Sequence, residues 1–200
     1  MGQELPSIIE LLGAIPNDYL QYFYYHGRKL AEQLGAPQTR GEACIEIEAR
    51  LLAYYANECN STTPPMLAER GGHLYSEAAV ALIASLAGAQ PGHHVIDVQN
   101  RGVLDFLPEE CVIETSCYVE RDAFTRNAPT VAPSVALTSL LRAVKAYETL
   151  TIEAALTGDR ATALRALACN PITADLDKTA PCLEEMLLAN RDLLPRFFSR

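Results

Sequence analysis

Only two stretches of this 200-residue chain have the make-up of β-strands, and that scarcity restricts its possible folds more than any other feature. Residues 93–98 and 111–119 are rich in β-branched side chains and are flanked by breakers. Residues 100–110 between them read as a loop or a wide hairpin connection. Nearly everything else repeats apolar residues at helical spacing. The spacing predicts a short helix over 7–13 closed by Gly13, a second from 17 or 18 to about 34, and a third from 42 to about 57. Further helices are expected over 76–86, from the cap Ser134 to about 156, over 160–168 and over 179–194. Residues 60–65, Asn-Ser-Thr-Thr-Pro-Pro, permit no helix and read as a mobile loop. Residues 120–133 are expected to be irregular because of Pro129 and Pro133.

Composition narrows the function. With 49% hydrophobic residues the chain can bury a real core. A net charge of -9 argues against nucleic acid or an anionic membrane surface as partner. No apolar run is long enough to cross a bilayer and the first residues are not a signal peptide, so a cytoplasmic location is expected. The six cysteines never fall at zinc-knuckle spacing and read as reduced thiols. Those at 44, 59, 169 and 182 sit in apolar helical contexts, where a thiol serves as a small hydrophobe.

Chemistry concentrates in two places. Four of the nine tyrosines fall within 19–25, directly behind the helix-start signal Pro16-Asn17-Asp18. In one continuous helix Tyr19, Tyr22 and His26 share a face. That face is either core, with each phenol tip bonded to a neighbour, or the wall of a site in which one phenol moves a proton. The second place is Glu69-Arg70-Gly71-Gly72. Paired glycines let backbone approach a ligand, and an arginine held there can grip an oxyanion with its planar fork. On spacing alone Arg70 reads first as a surface arginine before a helix-start turn.

Four segments carry a family resemblance: 16–22 (Pro-Asn-Asp-Tyr-Leu-Gln-Tyr), 69–76 (Glu-Arg-Gly-Gly-His-Leu-Tyr-Ser), 144–155 and 189–191. Their wording and order resemble the family 4 glycoside hydrolases, the group that contains the 6-phospho-β-glucosidases. The resemblance implies an α+β fold, mostly helical around a small, largely antiparallel sheet, like the C-terminal domain of the lactate and malate dehydrogenase superfamily. It implies hydrolysis of a 6-phospho-glucoside, β-linked, by an exception to the two-carboxylate scheme. NAD takes hydride from C3 of the sugar, a divalent metal such as manganese polarises the carbonyl, and a tyrosinate removes the acidified C2 proton before the aglycone leaves. Tyr19 is the implied base, with Tyr22 in reserve. Arg70 is implied to contact the sugar phosphate or hydroxyls, and Asn17 to act as a cap or a substrate contact. No role is assigned to His26 or His73.

The chain departs from that pattern in ways that define the expectation further. No Gly-x-Gly-x-x-Gly follows a strand, and nothing before Ile15 matches the family's Cys and His metal ligands. Residues 1–200 are therefore read as a single C-terminal substrate-binding and oligomerisation domain, without the NAD-binding Rossmann domain and inactive alone, holding neither cofactor itself. The expected partners are that Rossmann domain, a phosphorylated glycoside and further copies in a homodimer or homotetramer. At 97–102 the family's strand-exit motif loses its arginine at position 99, where Gln99 stands, and Arg101 is a candidate replacement. Two alternatives stand beside this reading: half of a 2-hydroxyacid dehydrogenase, or a free-standing helical dimerisation module without catalysis.

Overall fold

The structure, a computed structural model, describes residues 4–57, 62–71 and 74–199. In chain order its elements are α1 (Glu4–Leu12), α2 (Leu20–Tyr24), α3 (His26–Leu34), α4 (Arg40–Tyr55), α5 (Leu67–Arg70), α6 (Tyr75–Leu86), β1 (Gly92–Gln99), β2 (Val112–Glu120), β3 (Ala123–Arg126), α7 (Val135–Thr157), α8 (Arg160–Cys169) and α9 (Leu176–Ala189). A 3-10 turn, Pro195–Phe198, follows. The chain divides into two compact units, Met1–Leu30 with Pro129–Arg200, and Ala31–Ala128. The expected class holds: helices predominate around one small antiparallel sheet.

The first unit is helical. Ser134 starts α7 as predicted, accepting the Leu137 amide on Oγ while its own hydroxyl donates to the Leu12 carbonyl, which ties the end of α1 to the start of α7. Gly158 ends α7 in the left-handed conformation, φ 74°, and its backbone lies against that of Arg196. Asp159 then caps α8 through the Ala161 and Thr162 amides. These hydrogen bonds, that of the Thr162 hydroxyl first, hold the Asp159 carboxyl below its ordinary value. Ile8, Leu12, Leu140, Ala154, Ala166, Leu183 and Leu187 are buried in this unit. The last helix starts at Leu176 and ends at Ala189, not over 179–194 as the periodicity suggests. Pro181, which the pattern places near the first turn, lies deeper in the helix.

The second unit contains the sheet, in the order β1-β2-β3. Both predicted strand runs form and pair antiparallel, with Val95 opposite Ser116. The expectation of irregular chain after 119 is corrected at its start: β3 pairs with β2, Val119 opposite Phe124. The turn between them is two residues long, with Asp122 at φ 55°, and both prolines lie beyond β3, where they do not interrupt pairing. Val98, Cys117 and Val119 form the buried cluster, with Leu82 of α6 and Ile96 packed against it. Burial pushes the Cys117 thiol above its ordinary value, the response of a thiol used as packing. Cys169 and Cys182 depart from expectation: both are exposed, so neither fills a core here. Cys59 and part of the 60–65 loop lie outside the described residues.

Asn100, completely buried, shapes the hairpin connection. Its Nδ2 donates to the carbonyls of Leu104 (2.8 Å), Leu107 (3.0 Å) and Pro108 (3.1 Å), and its Oδ1 accepts the Leu104 amide at 2.8 Å. A single side chain thus satisfies the polar backbone that a buried loop would otherwise leave unpaired.

Candidate functional site

The predicted helix from 17 or 18 to 34 is interrupted. Tyr25 leaves helical geometry at φ -119°, ψ 34°, separating α2 from α3. The shared face of Tyr19, Tyr22 and His26 therefore does not form as a continuous stripe, since that spacing requires unbroken helix. What forms instead is a tight turn. Asn17 Oδ1 accepts the Tyr19 amide at 3.0 Å, and the Asn17 and Tyr19 carbonyls accept the amides of Leu20 and Tyr22. Asn17 thus closes a turn ahead of α2, whose N-cap position is held by Tyr19 without a side-chain cap.

This turn encloses an open groove of about 540 Å³ lined by Pro16, Asn17, Asp18, Tyr19, Gln21 and Tyr22. Tyr19 is 71% exposed, so the core reading fails for it, while Tyr22 is half-buried beside it. The structure brings Asn17, Tyr19 and Tyr22 together. The Phe23 and Tyr24 rings meet at a tilt of 55° with centroids 4.8 Å apart, and burial pushes the Tyr24 phenol above its ordinary value. Among the clustered tyrosines Tyr24 is accordingly poorly suited to ionise.

Arg70 belongs to the other unit. It ends the single turn α5, and Gly71 follows at φ 84°, ψ 165°, a conformation almost confined to glycine. Gly72 and His73 lie outside the described residues. The exposed Arg70 guanidinium has no hydrogen-bond or ion-pair partner among the described residues, whereas its backbone is firmly held. Arg40 Nη2 donates to the Glu69 carbonyl at 3.0 Å and to the Arg70 carbonyl at 3.1 Å. Arg50 makes a paired contact with the Glu69 carboxylate, Nη1 to Oε2 at 3.2 Å and Nη2 to Oε1 at 3.3 Å. Sequence reasoning passed over Arg40, having placed the start of α4 two residues late. The signal was present: Thr39 and Glu42 form a reciprocal capping box that begins the helix at Arg40.

Position 99 attracts two arginines. Arg101, held at φ 43°, donates through Nε to Gln99 Oε1 at 3.2 Å, and Arg126 donates to the Gln99 carbonyl at 2.8 Å. Both line a groove of about 710 Å³ over Leu82, Ile96, Val98 and Phe124. Arg101 was anticipated here; Arg126 was not, because β3 was unread. Among the described residues no group of three or more His, Cys, Asp or Glu could hold a metal ion, and no helix is long and apolar enough to cross a membrane.

Comparison with known proteins adds a second line of evidence. The family model described as the family 4 glycosyl hydrolase C-terminal domain matches residues 4–173. The 6-phospho-beta-glucosidase BglT of Thermotoga maritima is 34% identical over 178 residues, covering 89% of this chain and 42% of that protein. The 6-phospho-beta-glucosidase of Escherichia coli is 28% identical over 195 residues, 96% of this chain and 43% of its own length. A crystal structure of the T. maritima 6-phospho-beta glucosidase with manganese, NAD+ and glucose-6-phosphate superposes with a TM-score of 0.82 at 30% identity, covering 94% of this chain and 45% of that one. The chain spans less than half the length of these relatives.

Proposed function

Because the chain belongs to the family 4 glycosyl hydrolase C-terminal domain family, we propose that it is the substrate-binding and oligomerisation portion of a glycosidase that hydrolyses 6-phospho-glucosides, β-linked, in the cytoplasm. The observation that carries the reading is the likeness to 6-phospho-beta-glucosidases along almost the whole chain. In the whole enzyme NAD and a divalent metal such as manganese supply oxidation at C3 and polarisation of the resulting carbonyl, which acidifies the proton at C2. Following the family resemblance, both groups are assigned to an NAD-binding Rossmann portion of the whole enzyme.

The work left to this chain is proton transfer and binding. Tyr19 is the proposed base for the C2 proton, with Tyr22 in reserve on the wall of the same groove. A tyrosine can act as base there because oxidation at C3 has already activated the carbon acid. Asn17 sets the turn that presents Tyr19 and is the proposed contact for a sugar hydroxyl. Arg70 is the proposed phosphate contact. Exposed apolar residues of α6, Val80 and Ile83 among them, are consistent with further burial in a homodimer or homotetramer.

Tyr19→Phe in the full-length enzyme tests the assignment. The expected result is a fall in kcat of roughly 10²–10⁴-fold with KM little changed, the usual range for loss of a positioned acid or base. Tyr22→Phe should stay within a few-fold of the parent. Reversal of the two outcomes moves the role to Tyr22, and full activity in both variants removes the tyrosine base altogether.

A further inference from the structure

A four-residue helix such as α5 has no stability of its own, because nucleating a turn costs more than its one or two hydrogen bonds return. Its terminal carbonyls also need donors from elsewhere. In this chain the donors come from α4. Arg40, in its first turn, reaches 29 and 30 residues along the sequence to the carbonyls of Glu69 and Arg70. Arg50, further along, grips the Glu69 carboxylate through two nitrogens. Tyr54, in the last turn, bonds through its hydroxyl to Thr62, at 3.1 Å to the carbonyl and 2.9 Å to Oγ1. Three side chains of one helix thus hold both ends of the described chain 62–71.

The two arginines act on backbone and on a neighbour of Arg70, leaving the Arg70 guanidinium itself without a partner among the described residues. The arrangement also separates charge usefully: Glu69, the nearest carboxylate in sequence, is occupied by Arg50 and so is diverted from pairing with Arg70. We propose that Arg40 and Arg50 are positioning residues that dock α5 onto α4 and thereby aim the Arg70 guanidinium at the phosphate of the substrate. The proposal rests on the assignment of Arg70 as the phosphate contact.

The test is a double-mutant cycle in the full-length enzyme with a chromogenic 6-phospho-β-glucoside, joined to amide hydrogen exchange over 66–71. Arg50→Met should raise KM about 10-fold while kcat changes less than 2-fold, and should speed exchange in that segment. Arg50→Lys should recover part of the loss, because a point charge restores the ion pair but not the fork. Arg70→Ala should raise KM about 10- to 100-fold, the worth of a charge-assisted pair, and adding Arg50→Met to it should change KM less than 2-fold. An additive double variant, or an Arg50→Met enzyme with parental KM or parental exchange, overturns the proposal. Parental KM in Arg70→Ala alone is a separate result: it removes the phosphate assignment and the positioning role with it, whatever Arg50 does.

Discussion

The turn that presents Tyr19 and the turn that presents Arg70 are both short and exposed, yet they are closed in opposite ways. The first is closed by its own sequence: Asn17 bonds two residues ahead, and the Tyr19 carbonyl accepts three residues ahead. The second has turn bonds of its own, the Glu69 and Arg70 amides donating to the Met66 carbonyl, but its last carbonyls and the Glu69 carboxylate are held by arginines 19 to 30 residues away along the chain. A locally closed turn survives changes elsewhere and is damaged from within. A remotely closed turn fails when a distant element shifts, even if its own residues are intact. The same contrast recurs at Asn100, which closes its loop from inside, and at Gly158, which is pressed against a strand of chain that returns much later.

Substitutions should separate these two kinds of closure, beginning with the largest effect. A Cβ added at Gly158 would stand 2.2 Å from the Arg196 carbonyl oxygen, on a residue already at φ 74°. Gly158→Ala is therefore expected to destabilise by roughly 3 kcal/mol or more, since neither backbone can yield without moving its helix. A urea midpoint within error of the parent would mean that the two segments separate at little cost. Asn100→Ala asks whether local closure is weak merely because it is local. Stranding buried carbonyls and the Leu104 amide should cost about 2–4 kcal/mol in the same measurement, which would show burial to matter more than sequence distance.

Glycines near the two candidate turns sharpen the comparison. Gly13 (φ 67°) and Gly71 (φ 84°, ψ 165°) both face open space, so backbone conformation alone sets the cost of a side chain. Gly13→Ala should cost about 1 kcal/mol, the usual left-handed penalty. Gly71→Ala should cost about 1–3 kcal/mol and should also raise KM, since relief of the strain redirects Arg70. Equal effects of the two on KM would erase the distinction.

The smallest effect is a pH dependence at the start of α4. Two hydrogen bonds from Thr39, the amide first and then the hydroxyl, hold the exposed Glu42 carboxyl below its ordinary value. A carboxyl whose folded pKa is depressed adds stability above its unfolded pKa, near 4.3, and loses it as pH falls through the folded value. Glu42→Gln should therefore lower the urea midpoint slightly at pH 7 and converge on the parent as pH falls through the folded value. A constant difference between the two proteins across that range would assign the effect to helix propensity instead.

Much of this was legible in residue order. Helix starts at Ser134, helix ends at Gly13 and Gly158, and the two strand runs follow from capping groups, left-handed glycines and β-branched content, all of which act within a few residues. The tyrosine cluster stood out for the same reason, but the turn and groove it forms and the break at Tyr25 did not. An aromatic run has no breaker in it, and nothing nearby signals where the helix will divide. The third strand was hidden because it is only four residues long, with Phe124 and Thr125 alone favouring a strand, and so short a run pairs only when a neighbouring strand is already in place. The roles of Arg40, Arg50 and Arg126 were hidden for a related reason: charged residues on helix or strand surfaces have no periodic signature of what they will meet.

By itself the sequence determined the helix-rich class, the two main strands and the helix boundaries at Gly13, Ser134 and Gly158, because each is settled by interactions between residues close in the chain. Only the tertiary structure decided which arginines reach the Arg70 turn, which residues converge on Gln99 and which backbone Gly158 touches. Those outcomes depend on loop closure and packing between segments tens of residues apart, and no local preference encodes them.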